Sequence, residues 1–440
     1  MRKLAALLSV VVVAGAGGAT ACSSSSGGGS DSKSITYWAS NQGTSIQNDK
    51  DVLRPELAKF TKQTGIKVNL QVIGWNDLLN RITTATTSGQ GPDVVNIGNT
   101  WSASLQATGA FVEFDSKNMN AVGGKDKFLA TSMSSTGAPG KTPTSVPLYG
   151  LSYGLFYNKK EFAKAGISKP PATWAEFVAD AKKLTLPGGK QYGLTLAGGS
   201  YTESAHFAFM FGKQQGGDYF DSSGKPTFNT AENVKGVQQY VDLIGKQKVA
   251  TPGSAEHATT QDAIPDFTSG KAAMLMGQNN TAAGILANGM KASDYGVAPI
   301  PIVSPLPPGG QRINSHVAGI NIAAFQGKNE SAALKFIKFM TSKPEQVTLN
   351  KKYGGLPVTK EASSDPAFQT PENKVFVDVL AKTSAPMPMV AEESQFETTV
   401  GNGVDGLIAR AATGKPVTAA DVQKTLSDAQ AKMKSNGGGG

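Results

Sequence analysis

The first hundred residues alternate between two kinds of apolar pattern. Apolar residues alternate with polar ones, or form short runs, at 35–40, 65–74 and 93–98, which is typical of β-strands. Between these runs, at 52–63 and 75–87, apolar residues recur every three or four positions, which is typical of helices with one buried face. A β-α-β-α-β order predicts an α/β fold, with mostly parallel sheets and helices on both faces.

The same alternation continues further along the chain. Thr173 followed by Glu176 forms a capping box, which predicts the start of a helix whose buried stripe is Phe177, Ala181 and Leu184. Similar patterns predict strands at 192–197, 272–277, 295–302 and 318–325, and a helix with Ala333, Phe336, Ile337 and Met340 on one face.

The composition indicates a globular protein, and the length is sufficient for two domains or more. It has 440 residues, of which 39% are hydrophobic and 17% charged, and a typical domain takes roughly 100–200 residues. The net charge is +9. The lysines are scattered and form no basic stripe with interleaved aromatic residues, so no nucleic-acid partner is expected. The charge is better explained by solubility.

The N-terminus has the pattern of an export signal. Arg2 and Lys3 precede an apolar segment at 4–16, and "ATAC" then ends at Cys22, the only cysteine of the chain. This resembles a bacterial lipobox, so we expect a signal peptide at 1–21 and lipidation of Cys22. The alternative is an ordinary cleaved signal followed by a chance cysteine, although an exported lone thiol would have no disulfide partner. Residues 22–34 carry no apolar side chain beyond Cys22 and predict a flexible tether.

One short motif is compatible with catalysis. "GLSYG" at 150–154 matches the G-x-S-x-G pattern of serine hydrolases, with Ser152 as the nucleophile. That motif requires a strand before the serine and a helix after it, whereas "LFYN" follows here. The sequence therefore favours a binding protein, and an esterase built on Ser152 is kept as the alternative from another functional class.

Other chemical motifs are weaker still. The histidines His206, His257 and His316 are far apart, and neither HExxH nor CxxC is present, so no metal is expected. "GAPGKT" at 137–142 ends like a P-loop but lacks its first glycine. Glu392 and Glu393 are adjacent, so on a helix their side chains diverge by about 100° and make a poor acid/base pair.

Six blocks in register resemble one family, the extracellular solute-binding proteins of ABC importers, family 1, in the branch that includes maltose-binding protein. They are "FTKQTGIKVNLQVIGWNDLLNRI" with "GQGPDVVNIGNTW", "VPLYGLSYGLFYNKKEFAKAGISKPPATWAEFVADAKKL", "DFTSGKAAMLMGQNN", "YGVAPIPI", "AGINIAAFQGKNESAALKFIKFMTSKPEQ" and "GGLPVTKEA". The blocks cover nearly all of residues 35–435.

The resemblance implies a two-lobed periplasmic-binding-protein-like fold of class II. Its lobes would be 35–148 plus 305–358 and 149–304 plus 359–435, joined by a hinge of crossing strands at "GLSYG". Gly150 and Gly154 would absorb the dihedral change on closure. The resemblance further implies a non-enzymatic monomer without cofactors. It would bind a small-molecule carbohydrate for the transmembrane subunits of an ABC permease, on the outer face of the bacterial cytoplasmic membrane.

A sugar site needs amide, carboxylate and imidazole groups for hydroxyls and aromatic faces for C–H surfaces. Such residues should follow strand ends that face the cleft. Together with the family's contact regions, this selects the following ligand-binding candidates: Asn41, Gln42, Trp75, Asn99, Thr100, Trp101, Tyr149, Tyr153, Glu203, His206, Gln278, Asn279, Asn280, His316 and Glu393.

Each kind of candidate has a structural alternative. Asparagine and glutamine at strand ends can simply form turns. Trp75 and Tyr153 can belong to a core, and His316 can be a buried structural histidine. Maltose-binding protein has tryptophan at the position of Asn280 and acidic residues near Thr100, so maltodextrin itself is not implied. The second binding hypothesis is a non-sugar ligand, a polyol phosphate or a peptide. The absence of arginine from the candidate loops speaks against a phosphate.

Overall fold

The computed structural model describes residues 33–327 and 329–436. The predicted signal peptide, Cys22 and most of the predicted tether lie outside the described residues. The strands are β1 Ser34–Ser40, β2 Lys67–Ile73, β3 Val94–Gly98, β4 Val146–Leu151, β5 Tyr153–Asn158, β6 Met274–Gln278, β7 Tyr295–Ala298, β8 Ser315–His316, β9 Ala318–Ala324 and β10 Ser384–Ala385.

The helices alternate with these strands along most of the chain. They are α1 Ile46–Thr64, α2 Trp75–Ser88, α3 Ser102–Ala107, α4 Ser116–Ala121, α5 Ala130–Met133, α6 Lys159–Lys164, α7 Trp174–Leu184, α8 Tyr201–Gln214, α9 Ala231–Val241, α10 Thr260–Thr268, α11 Thr281–Ala287, α12 Glu330–Met340, α13 Lys343–Tyr353, α14 Lys360–Ser363, α15 Pro371–Lys382, α16 Glu393–Ala412 and α17 Ala419–Asn436. Among these described helices, none is both long enough and apolar enough to cross a membrane.

The first lobe is built on a five-stranded sheet in the order β2-β1-β3-β9-β4. Strands β1, β2 and β3 are parallel, while β9 runs antiparallel to both of its neighbours. Ile35, Tyr37 and Phe60 bury one face of the sheet, and Val95 and Ile97 bury the other against α2 and Trp101. Helices therefore cover both faces, as predicted.

The second lobe is built on a three-stranded sheet in the order β6-β5-β7, in which both strand pairs are antiparallel. Leu155 of β5 packs into one hydrophobic cluster with α7, α8, α9, α16 and α17. The next residue, Phe156, packs into another with α10, α11 and α15. Parallel pairing is thus less extensive than the sequence predicted, because β5 lies between β6 and β7 and runs antiparallel to both.

Two strand predictions need correction. Residues 192–197 form no continuous strand, because they bond to two neighbours in turn, at 249–251 and 271–274, and leave only isolated bridges. Strand β7 ends at Ala298 rather than at Ile302. Pro299 and Pro301 have no N–H to donate, so the ladder cannot continue.

The chain crosses between the lobes at Ser152, which lies between β4 and β5. The Ser152 N–H donates to Asn279 Oδ1 at 2.8 Å, and Asn279 Nδ2 donates to the Gly354 carbonyl at 2.7 Å. Gly150 is needed for a close approach rather than for a positive φ, since a Cβ there would lie 3.0 Å from the Leu356 carbonyl. The predicted lobe boundaries and a hinge motion at these glycines stay predictions.

Candidate ligand-binding site

A cleft of about 420 Å³ lies where the two lobes meet. Ten of the predicted site residues line it. Those of the first-lobe wall are Asn41, Gln42, Trp75, Asn99 and Thr100, and those of the second-lobe wall are Glu203, His206, Gln278, Asn280 and His316. The predicted boundaries put residue 316 in the first lobe, but its strand β8 pairs with β10 and its ring lies against Tyr153 and His206, so we count it with the second-lobe wall. Residues more than two hundred positions apart in the sequence are thus brought together around one space.

The first-lobe wall follows the carboxyl ends of β1, β2 and β3. Asn41 and Gln42 come directly after β1, and the buried Asp49 holds their loop. Asp49 Oδ1 accepts from the backbone N–H groups of Gln42 at 3.1 Å and Gly43 at 3.0 Å. Asn99 is fixed through its Nδ2, which donates to Ser135 Oγ at 2.9 Å and to the Val317 carbonyl at 2.8 Å. These loops are therefore ordered by the protein itself.

Two tryptophans form a platform on this wall. The Trp75 ring lines the cleft and stacks on Trp101, with ring centroids 4.7 Å apart and an interplanar angle of 25°. Trp101 is fully buried behind it. Gly98 makes room for the pair, because a Cβ there would lie 3.0 Å from the Trp101 ring and 3.1 Å from the Trp75 ring. Trp75 therefore offers a rigid aromatic face to a bound molecule.

A buried carboxylate connects the two walls. Glu397 of α16 accepts from Trp101 Nε1 at 2.7 Å and lies 3.1 Å from His206 Nε2. Thr100 also hydrogen-bonds to it. Burial alone would raise the pKa of Glu397, but the contacts with His206, Thr100 and Trp101 outweigh burial and lower it. Glu397 is thus an ionised group without solvent exposure that bonds to residues of both lobes.

The second-lobe wall carries titratable groups on α8. His206 Nδ1 lies 2.8 Å from the Tyr153 hydroxyl, so both of its ring nitrogens have protein partners. Burial raises the pKa of Glu203, and the nearby His206 and the Tyr153 hydroxyl oppose that rise. Glu203 and His206 were expected in a loop. They instead occupy the first two turns of α8, which begins at Tyr201.

Five predicted site residues do not line the cleft. Trp101 lies behind Trp75, and Tyr153 lies behind His206. Tyr149 faces the first-lobe core, where its ring packs edge-to-face on Tyr353 with centroids 5.5 Å apart. Asn279 holds the crossing strands together. Glu393 is fully buried beside Glu397, one helical turn away on α16, and burial raises its pKa well above the usual range.

The cleft also contains polar residues that the sequence analysis missed. They are Thr44, Asn76, Asp77, Ser200, Thr202, Thr259, Thr260, Gln261 and Asp262. A signal was available for four of them. Thr259 and Asp262 form a capping box at the start of α10. Asn76 and Asp77 begin α2 directly after β2, so the strand-end rule that selected Trp75 also applied to them.

The charge of the cleft differs from that of the whole chain. Its described lining contains Asp77, Glu203 and Asp262 but neither lysine nor arginine, although the chain carries a net charge of +9. No group of three or more histidine, cysteine, aspartate or glutamate side chains within the described ranges could hold a metal ion. The available chemistry is hydrogen bonding by amides, hydroxyls, imidazoles and carboxylates, together with an aromatic face.

Comparison with known proteins agrees with this geometry. The family model of the bacterial extracellular solute-binding proteins matches residues 43–347, which is more than half of the chain. The chain belongs to this family. A binding protein of Brucella abortus (strain 2308) is 29% identical over 301 residues, which are 68% of this chain and 70% of that protein.

Solved structures of binding proteins share the fold. Maltose-bound MalE3 of T. maritima superposes with a TM-score of 0.78 at 23% identity, covering 92% of this chain and 99% of that one. An ABC transporter solute-binding protein of Agrobacterium radiobacter K84 in complex with ribitol has a TM-score of 0.77 at 26% identity, covering 92% and 98%. The predicted two-lobed α/β class and the family are thereby confirmed.

Membership of a solute-binding family also bears on Ser152. The family consists of binding proteins rather than enzymes, in agreement with the prediction. In the structure Ser152 is fully buried and joins one strand to another. A nucleophile elbow would require a sharp turn into a helix, so the local geometry contradicts the esterase alternative. The chain is a solute-binding protein of the ABC importer class.

Proposed function

We propose that the protein captures a neutral carbohydrate or polyol in the cleft and delivers it to the transmembrane subunits of an ABC permease. The observation that carries this proposal is the Trp75 platform, stacked on Trp101 and facing a cleft rich in amide and hydroxyl groups. Aromatic faces cover the C–H surface of a sugar ring, while amides and carboxylates pair with its hydroxyls. The ten lining residues named above are the proposed ligand contacts.

The polyol-phosphate alternative finds less support in the same lining. A phosphate favours arginine, lysine or a free helix N-terminus. The described lining has no basic side chain apart from two histidines, and its carboxylates would repel an anion. The N-termini of α2, α8 and α10 reach the cleft. Thr259 and Asp262 already cap α10, and α2 and α8 each carry a carboxylic acid in the first turn, Asp77 and Glu203. A neutral ligand therefore fits the site better than an anionic one.

Thermal unfolding of the purified protein tests the proposal. The panel is maltose, maltotriose, D-tagatose, ribitol, glycerol 3-phosphate and a dipeptide. A true ligand at a hundredfold excess over its Kd stabilises the fold by about 2.7 kcal/mol. We expect a neutral sugar or polyol to raise Tm and Trp75→Ala to remove that rise. Trp38→Ala, outside the cleft lining, is the matched control and should retain it. Stabilisation by the phosphate or the dipeptide alone would contradict the proposal.

We also propose that the chain acts as a monomer, tethered to the outer face of the cytoplasmic membrane through a lipid on Cys22. The apolar segment at 4–16, the "ATAC" sequence and the polar stretch at 23–34 support this. Labelling of cells with a palmitate analogue should tag the wild-type chain. Cys22→Ser should lose the label and leave the membrane fraction. A labelled Cys22→Ser protein would contradict the anchor.

A further inference from the structure

His316 is a buried imidazole whose bonding is incomplete. It lines the cleft at the end of β8, yet only 1% of its surface is exposed. Neither of its ring nitrogens has a hydrogen-bond partner among the described residues. The backbone of Val317 lies near the ring but does not meet hydrogen-bond geometry with either ring nitrogen, whereas its carbonyl accepts from Asn99 Nδ2 at 2.8 Å. A buried polar group without a partner is costly, so this side chain requires an explanation.

The neighbouring histidine shows what His316 lacks. The His206 and His316 rings have centroids only 4.1 Å apart. Both nitrogens of His206 are occupied, by the Tyr153 hydroxyl and by Glu397. His316 has no counterpart to either contact. The described residues thus satisfy one imidazole of the pair and leave both ring nitrogens of the other, which lines the cleft, without a partner.

The environment also fixes which form of His316 a ligand meets. Burial and the adjacent His206 lower the pKa of His316 well below its usual value, so the ring is neutral at neutral pH. A neutral imidazole has one N–H donor and one acceptor nitrogen. A hydroxyl group offers both complements, whereas a carboxylate or phosphate offers only acceptors and an ammonium only donors.

The backbone holds this ring in place before a ligand arrives. Ala385 of β10 pairs with His316. Ser315 Oγ accepts from the Tyr153 N–H at 3.0 Å and donates to the His316 carbonyl. Because these contacts are made without a ligand, little ordering remains to be done when one binds.

We propose that His316 is a specificity-determining residue, which bonds a hydroxyl group of the ligand at the floor of the cleft and so selects against analogues lacking that hydroxyl. This proposal rests on the proposed function, and it names the imidazole of His316 as the group that distinguishes one sugar or polyol from another. Sites built to bond a substrate hydroxyl reject the analogue without it far more strongly than apolar pockets reject a missing methylene.

Calorimetric titration of His316→Phe and His316→Gln tests the proposal. The probes are ribitol, D-tagatose and maltose, each with its monodeoxy analogues. Phenylalanine keeps a ring of similar size without nitrogens, and glutamine keeps one donor and one acceptor. We first identify the probe that wild type binds. Compared with its affinity for wild type, we expect the affinity of this probe to be at least tenfold lower for His316→Phe and only a few-fold lower for His316→Gln. His257→Phe, which removes an imidazole outside the cleft lining, should bind it unchanged.

The monodeoxy analogues provide the decisive comparison. For wild type, one deoxy analogue should bind at least tenfold more weakly than the parent probe. For His316→Phe, the difference between that analogue and the parent should be much smaller, because the missing hydroxyl and the missing imidazole belong to one contact. Equal discrimination by both proteins would overturn the proposal and leave the sugar-binding function intact. Binding by no neutral probe would instead count against the proposed function itself.

The protein without any ligand gives an independent readout. If His316 serves the ligand, replacing its unsatisfied ring with phenylalanine should leave the Tm of the free protein unchanged or raise it. A fall of several degrees in the Tm of free His316→Phe would show a structural histidine and overturn the proposal, whatever the probes do.

Discussion

The two walls of the cleft take their polar residues from different kinds of element. The first-lobe wall consists mainly of amides, hydroxyls and an aromatic face that follow parallel strands, and Asp77 is its one carboxylic acid among the described lining residues. The second-lobe wall takes Glu203 and His206 from a helix, and His316 from a two-residue strand. The first wall is therefore mainly neutral, whereas the second carries most of the titratable groups. Under the proposed function, the first lobe would supply shape and stacking and the second would select hydroxyl groups.

Two hydrogen-bond networks behind the cleft differ in charge. Behind the first-lobe wall, the Tyr37 hydroxyl donates to Asn96 Oδ1 at 2.8 Å, and Asn96 Nδ2 donates to Ser40 Oγ at 3.2 Å. Between the lobes, Glu397 bonds to Trp101 of the first and His206 of the second. The Tyr37–Asn96 network is neutral and the Glu397 network is charged. Hydrogen bonds to charged groups are roughly twice as strong as neutral ones, so substitutions should separate the two networks.

The largest effect is expected from Glu397→Ala. Removing one partner of a buried charged network leaves the others unpaired and costs about 3–5 kcal/mol in the free energy of unfolding. Glu397→Gln keeps the shape and one acceptor, so it should cost clearly less. Urea denaturation at pH 7 measures both changes. A loss for Glu397→Ala no larger than that of a neutral hydrogen bond would break the distinction between the two networks.

The second prediction concerns the pH dependence of stability at the contact between α16 and α8, the helix that carries Glu203 and His206. Asp405 of α16 faces Ser204 of α8, and burial raises the pKa of Asp405 from 3.8 to about 7. The folded state therefore binds this proton more tightly than the unfolded state. The stabilisation that results from this proton is fully present below about pH 4 and is lost as pH rises towards 7. After allowance for partial exposure, the free energy of unfolding should fall by on the order of 2–3 kcal/mol over that range.

Asp405→Asn should remove this pH dependence. The variant and wild type should differ least near pH 4, while the variant should be the more stable protein at pH 8. Urea denaturation across pH 4–8 measures the difference between the two proteins, which cancels the titration of the other groups. A constant difference over that range would show that Asp405 has the same pKa in the folded and unfolded states.

The contrast between the walls also explains what the sequence could predict. Asn41, Gln42, Asn99 and Thr100 were found because parallel strands end at one edge of a sheet. The side chains around β5 and β6 were harder to place. Among the consecutive residues 278–280, Gln278 and Asn280 line the cleft, while Asn279 bonds to the crossing strand at Ser152. Which member of such a run faces the cleft depends on strand register, and single-sequence patterns do not fix it.

Contacts made in tertiary structure account for the remaining differences. Tyr153 and Trp101 were chosen as ligand contacts, but each lies one layer behind the surface and bonds to the side chains there. Thr259 and Asp262 were missed because α10 approaches the cleft only through its packing in the second lobe. Choosing residues because they follow a strand does not tell which of them lie behind the cleft surface. It also does not find a helix such as α10, which comes from a distant part of the chain.

The smallest effect is expected from Tyr37→Phe in the neutral network. The change removes one hydroxyl and leaves Asn96 Oδ1 without its donor, so the free energy of unfolding should fall by about 1–2 kcal/mol. A double-mutant cycle with Asn96→Leu isolates the pair, because both residues are buried and in direct contact. A coupling energy approaching that between Trp101→Phe and Glu397→Gln would mean that the neutral network within the first lobe is as strong as the charged network that joins the lobes. The assignment of the stronger interactions to the charged network would then have to be abandoned.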